Sequence, residues 1–133
     1  MLLSHVIVHP EACDGQTMLF DYDKALSAID SFRCVVAVLC GHDHKGGYFC
    51  DERGVHHLTF SSPLNEGTDG AAFGLIAFAN DRLEIHGPEL TSLLPHADAE
   101  VPTKTPLPPA AQSEVPGIGK PCQVMSFPLR STE

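Results

Sequence analysis

The stretch CVVAVLCGHDHKGG, residues 34–47, decides how the fold is read. Val35 to Leu39 is largely β-branched and apolar at every position, which predicts an interior strand covered on both faces. The run stops at Gly41, and loops at the carboxyl ends of such strands are where α/β sheets place ligands. In the loop, His42 and His44 are one residue apart. If the segment is extended, they project to the same side with Cα atoms about 6 to 7 Å apart, near enough to serve one metal ion or two neighbouring ones. Gly41 lets backbone approach the site. Asp43 would then face the other way, supporting the ligands by a hydrogen bond or remaining solvated.

On its N-terminal side, Leu2 to Val8 is a short apolar run closed by Pro10, consistent with a buried strand whose end feeds a loop. Tyr22, Ala25, Leu26 and Ile29 recur at helical spacing, with Asp21 and Asp23 at the favourable N-terminal end and Phe32 closing the apolar face. Downstream, Tyr48 to Cys50 and Val55 to Phe60 flank the turn Asp51-Glu52-Arg53-Gly54, where Gly54 can adopt positive φ. Phe73 to Ala79 and Arg82 to His86 flank Asn80-Asp81 and predict a second hairpin. Strand, helix, strand and two hairpins together predict an α/β fold, a mixed sheet with its helix on one face.

This order brings in His5, which follows the first strand. Parallel pairing of that strand with Val35 to Leu39 would put His5 and His42 on one rim, so that His5, His42 and His44 converge. Neutral imidazoles suit Zn, Mn or Fe, and the surrounding acidity favours a cation over an anion. A two-metal site also needs carboxylates to bridge the ions, and no convincing bridging carboxylate is visible. His9, just before Pro10, is a candidate contact for a substrate phosphate. His56 and His57 are adjacent on a strand and must face opposite sides, while His86 and His96 read as surface residues.

The totals set the bounds. The 133 residues fit one domain. Eight Lys plus Arg against 17 Asp plus Glu give a net charge of −9, a poor balance for gripping nucleic-acid phosphates. With 43% hydrophobic residues and no apolar run near the ~20 needed to span a bilayer, the composition is that of a soluble protein. The N-terminus is a poor secretory signal, and five Cys without C-x-x-C spacing argue against a disulfide framework, so a cytoplasmic location is expected. Seven of 11 Pro lie after residue 100, in a stretch without apolar periodicity. Residues 1–95 are therefore read as the folded part and 96–133 as a Pro-rich, flexible or disordered tail. The PLPP run at Pro106 to Pro109 could bind a partner that takes polyproline segments, but an inert linker is the simpler reading, and protein partners stay open.

Ser4-His5, Val8-His9-Pro10 and Gly41-His42-Asp43-His44-Lys45-Gly46-Gly47, in that order, resemble the C-terminal half of a calcineurin-like metallophosphoesterase. Cys50-Asp51, His56-His57-Leu58-Thr59-Phe60 and Ala72-Phe73-Gly74 to Asp81-Arg82 narrow the resemblance to the manganese-dependent ADP-ribose/CDP-alcohol diphosphatases, over roughly residues 2–88. The resemblance implies part of a four-layer α-β-β-α sandwich with two divalent metal ions, Mn foremost and Zn, Fe or Mg as alternatives. It implies hydrolysis of the pyrophosphate bond in small nucleotide-diphosphate substrates. His5 and His42 would ligate one ion and His44 the other. The family's D-x-[HQ], G-D and G-N-H motifs do not precede Ser4, and Ser61-Ser62-Pro63-Leu64-Asn65-Glu66 replaces a Glu-Gly pair, so substrate contacts there need not follow the family. The chain is thus expected to represent the C-terminal portion of the catalytic domain, inactive alone and without a catalytic residue of its own. The alternatives are a truncated, non-catalytic binding protein and a cupin-like metal protein. The latter expects a Glu where Tyr48 and Phe49 stand.

Overall fold

The computed structural model describes residues 1–13, 17–66, 74–87, 111–113 and 122–128. Its centre is β2 (Ala37–Cys40), buried at all four positions. Alternation then sorts its side chains: Ala37 and Leu39 enter one apolar cluster, Val38 and Cys40 another on the opposite face. β1 (Leu2–Ser4) and β4 (His56–Thr59) both run parallel to β2, and β3 (Gly47–Cys50) is antiparallel to β4, giving the order β1-β2-β4-β3. The parallel β1/β2 pair is joined through α1 (Tyr22–Ser31), as the element order requires.

Helix α1 places Ala25, Leu26 and Ile29 against the cluster of Ile7, Val8, Val38 and Val55. Phe32, expected to close that face, is instead the extended C-cap residue and 60% exposed. The turn after β3 is shaped by Asp51, whose Oδ1 accepts from the backbone N–H groups of Arg53 and Val55 at 2.9 and 2.7 Å, and Gly54 takes φ 75° as expected. Arg53 pairs with Asp30, tying this turn to α1.

A second, wholly antiparallel sheet has the order β5-β6-β8-β7, from β5 (Leu75–Phe78), β6 (Arg82–Gly87), β7 (Ala111–Ser113) and β8 (Cys122–Pro128). Leu83, Ile85 and Phe127 pack on Val36, Leu39, Tyr48 and Leu58 in one core, so the sheets stack face to face. Burying each of these large side chains contributes roughly 1.5–3 kcal/mol. Among the described residues the layers are therefore helix, sheet and sheet, three of the expected four.

Two expectations change. The first strand ends at Ser4 rather than Val8, and Ile7 makes only an isolated bridge to Met18. Part of the stretch read as a flexible tail is strand: β8 pairs with β6 over six residue pairs and Phe127 is fully buried. The Pro residues that suggested disorder do not interrupt it, since Pro128 sits at the end of β8, where its missing N–H costs little. The rest of 96–133, including Pro106 to Pro109, lies outside the described residues. On the opposite flank, β1 and β5 are the edges of their sheets, and an apolar cleft of about 300 Å³ lined by Leu3, Leu39, Phe60 and Ile76 opens there.

Candidate metal centre

Because β1 and β2 are parallel and in register, with Ser4 opposite Cys40, the residues following them meet. Gly41 N–H donates to the His5 carbonyl at 3.2 Å, and the rings of His5 and His42 pack edge to face with centroids 5.1 Å apart. Both imidazoles are exposed, as a ligand site requires. His42 has φ 72°, a left-handed conformation rare for a residue with a Cβ. The segment is thus a turn, not the extended strand end expected. Asp43 N–H donates to the Gly41 carbonyl at 2.9 Å and Gly46 N–H to the Asp43 carbonyl at 3.2 Å.

Asp43 is the buried member of the motif, 5% exposed, with its Oδ1 accepting from Lys45 N–H at 3.0 Å. It holds the loop in its turned shape rather than offering itself to an ion. His44 stands on the rim of the same cavity, of about 290 Å³, whose walls include His5, His42, Phe60, Ser61, Ser62 and Pro63. Ser62 N–H donates to the His44 carbonyl at 3.1 Å, and Phe60 N–H to the Cys40 carbonyl at 2.9 Å, so the end of β4 is bound to the motif loop. Sequence reasoning missed Phe60, Ser61 and Ser62 as cavity residues. The signal lay in the parallel β2/β4 pairing, which brings the ends of both strands to one rim.

His9 lies elsewhere. Its ring stacks on Phe49 at 4.4 Å and approaches His57 at 4.6 Å, and it does not line the cavity; Nδ1 accepts from Glu11 N–H at 3.2 Å. Burial lowers its pKa against the raising influence of Asp51, Glu11 and Asp30. His56, on the other face of β4, meets Tyr48 Oη at 2.9 Å through Nδ1 and packs on Phe127.

The residues present fit part of a metal centre. Two exposed imidazoles in contact, with a third on the same rim, suit a divalent cation. Among the described residues, however, no group of three or more His, Cys, Asp or Glu is arranged to hold one, and Asp43, the carboxylate on the cavity wall, is engaged by Lys45 N–H. His5, His42 and His44 thus share a cavity without closing a coordination shell.

No family model matches the chain. The chain is 38% identical over 86 residues to the manganese-dependent ADP-ribose/CDP-alcohol diphosphatase of Xenopus tropicalis, covering 65% of this chain and 25% of that protein. It is 38% identical over 87 residues to the enzyme of that name from Mus musculus, with 65% and 26% covered, and 33% identical over 87 residues to that from Homo sapiens, with 65% and 25% covered. The fold is similar to the crystal structure of a dimetal phosphatase from Danio rerio, with a TM-score of 0.61 and 31% identity, covering 64% of this chain and 28% of that one. The match thus spans about a quarter of the length of these relatives, and the resemblance seen in the motifs holds over that span.

Proposed function

We propose, from this likeness to manganese-dependent diphosphatases and a dimetal phosphatase, that the chain forms one wall of a two-metal phosphohydrolase site acting on the pyrophosphate bond of nucleotide diphosphates such as ADP-ribose or CDP-alcohols. The observation that carries the reading is the His5–His42 contact at the carboxyl ends of two parallel strands, with His44 on the same cavity. His5 and His42 would hold one ion and His44 the other. Bound divalent ions, Mn above all, supply an activated water and neutralise charge on the phosphoryl oxygens. The chain's own residues orient this assembly: Asp43 fixes the turn that presents His42 and His44, and Ser62 ties that turn to β4. The Ser61 and Ser62 hydroxyls give the cavity wall neutral hydrogen-bonding capacity next to the phosphates.

Bridging carboxylates must come from outside the matched quarter, so the 133 residues alone are expected to bind Mn weakly and hydrolyse nothing measurable. In this reading the catalytic portion occupies residues 1–95, β7 and β8 extend its second sheet, and the protein works in the cytoplasm. Thiols rather than disulfides at Cys34 and Cys40 and the lack, among the described residues, of a helix long and apolar enough to cross a membrane are consistent with that. A second reading, a non-catalytic binding protein, draws on the edge strands β1 and β5, where Leu3 and Leu75 are 65% and 54% exposed.

The test is a chimera in which the matched residues of this chain replace the matched 26% of the Mus musculus enzyme. Hydrolysis of ADP-ribose by the chimera, lost by more than about 100-fold in its His42→Ala variant, supports the reading. Undiminished activity of the variant overturns the assignment, and a folded but inactive chimera favours the binding protein.

A further inference from the structure

On the face of β4 turned away from the second sheet, His57 is 1% exposed and neither ring nitrogen has a hydrogen-bond partner. Its Nε2 lies 3.5 Å from Asp51 Oδ2, close enough for attraction but too long for a well-formed hydrogen bond. A buried polar group left in this state costs free energy unless something is gained from it. The site at the strand ends does not use it. What His57 touches is His9, 4.6 Å away between ring centroids, on the segment leading from His5 into the 3₁₀ turn Pro10–Ala12.

That segment is fastened at two further points. Thr59 Oγ1 donates to the buried Ala12 carbonyl at 2.8 Å, and Gly47 lies so close to Ala12 that a Cβ there would sit 2.5 Å from the same oxygen. His9 itself accepts from Glu11 N–H through Nδ1, so in the folded segment the proton of the neutral ring is on Nε2. Protonating Nδ1 would eject that donor. The docked segment thus holds the His9 ring neutral at Nδ1, and beside it a charged His57 would be buried without a well-formed hydrogen bond.

We propose that His9 and His57 form a proton-sensitive clamp: neutral, they hold the segment after His5 flat on β3 and β4, and protonation releases it. The groups facing the pair are Glu11 on the turn, Asp51 and Arg53 on the β3–β4 connection and Asp30 on α1, the last engaged by Arg53. The carboxylates favour a cation, whereas burial and the neighbouring imidazole oppose it. Burial wins, and His57 is held down to about 4 from an ordinary 6.5. Since the open state binds the proton more tightly, the clamp is at full strength above pH 6.5 and weakens as pH falls from there towards 4. The inference is independent of any metal at His5, His42 and His44.

Amide hydrogen exchange of the metal-free chain tests it, with rates corrected for the intrinsic effect of pH. From pH 7.5 to pH 5, protection at residues 6–13 should fall about 30-fold, the linkage factor for a ring at 6.5 when open and about 4 when closed, while Val38 and Leu39 in β2 keep theirs. His57→Phe, which keeps an aromatic ring against His9 but cannot titrate, should largely flatten that dependence. Should His57→Phe fail to fold, Asp51→Asn keeps an acceptor for the turn but removes a charge that favours the cation in the closed state, so the loss of protection between pH 7.5 and pH 4 must be at least as large as in the wild-type chain. Unchanged protection in the wild-type chain at pH 5, the same loss in His57→Phe, or a smaller loss in Asp51→Asn than in the wild-type chain each overturns the clamp.

Discussion

Replacing Gly47 by Ala should destabilise the protein although the position looks like a loop glycine. Gly47 opens β3 opposite Thr59, and its Cα faces the 3₁₀ turn. A Cβ there would stand 2.5 Å from the Ala12 carbonyl oxygen, 2.8 Å from its carbon and 3.4 Å from Cys13 N. All three are backbone atoms, so no side chain can rotate away, and one element must shift by about 0.5 Å or more in a close-packed interior. Overpacking of this kind costs about 1–3 kcal/mol, and weakening the buried Thr59–Ala12 hydrogen bond adds about 1. The loss of unfolded-state freedom on going from Gly to Ala returns about 0.4–1 kcal/mol. The net is about 1–3.5 kcal/mol, or about 4–14 °C in Tm for a chain of this size. Circular dichroism melts at pH 7.5 provide the measurement, and Gly41→Ala is the comparison. A Cβ at Gly41 meets only His5 atoms at 3.8 Å, an ordinary contact, so its melt should move by less than about 3 °C. A Gly47→Ala protein melting within that margin of wild type would refute the close-approach argument.

Other substitutions probe the rest of the fold. Phe127→Ala should cost about 3–5 kcal/mol in urea denaturation, because the ring is fully buried between the sheets; a change under about 0.5 would mean that β8 is not part of the core. Tyr48→Phe removes the buried hydroxyl that meets His56 Nδ1 at 2.9 Å and should lose about 1–1.5 kcal/mol in the same assay, with no change in m-value. Arg53→Ala breaks the pair with Asp30, both partly exposed, and should cost under about 1 kcal/mol, less again at 1 M salt.

The sequence by itself determined the parts that rest on local pattern. The apolar run of Val35 to Leu39 read as a strand covered on both faces, α1 followed from its helical spacing, and both hairpins followed from their turn residues, the first with Gly54 at positive φ. The order of these elements was also enough to place His5 and His42 together, since a strand–helix–strand unit makes the pair parallel. The remainder was set by tertiary structure, because each feature depends on partners distant in the chain. The left-handed φ of His42 and the inward turn of Asp43 come from packing of the motif loop against β4, so the extended geometry assumed for H-x-H was wrong. His9 was drawn from the site rim into a cluster with Phe49 and His57, a register effect of β3 and β4. β8 looked like tail because Phe127 acquires a core to enter only when β6 lies beside its strand. Local pattern specifies which segments can be helix or strand. Which side chains end up facing one another is settled by pairing over long sequence separations, where burial and register act and sequence spacing does not.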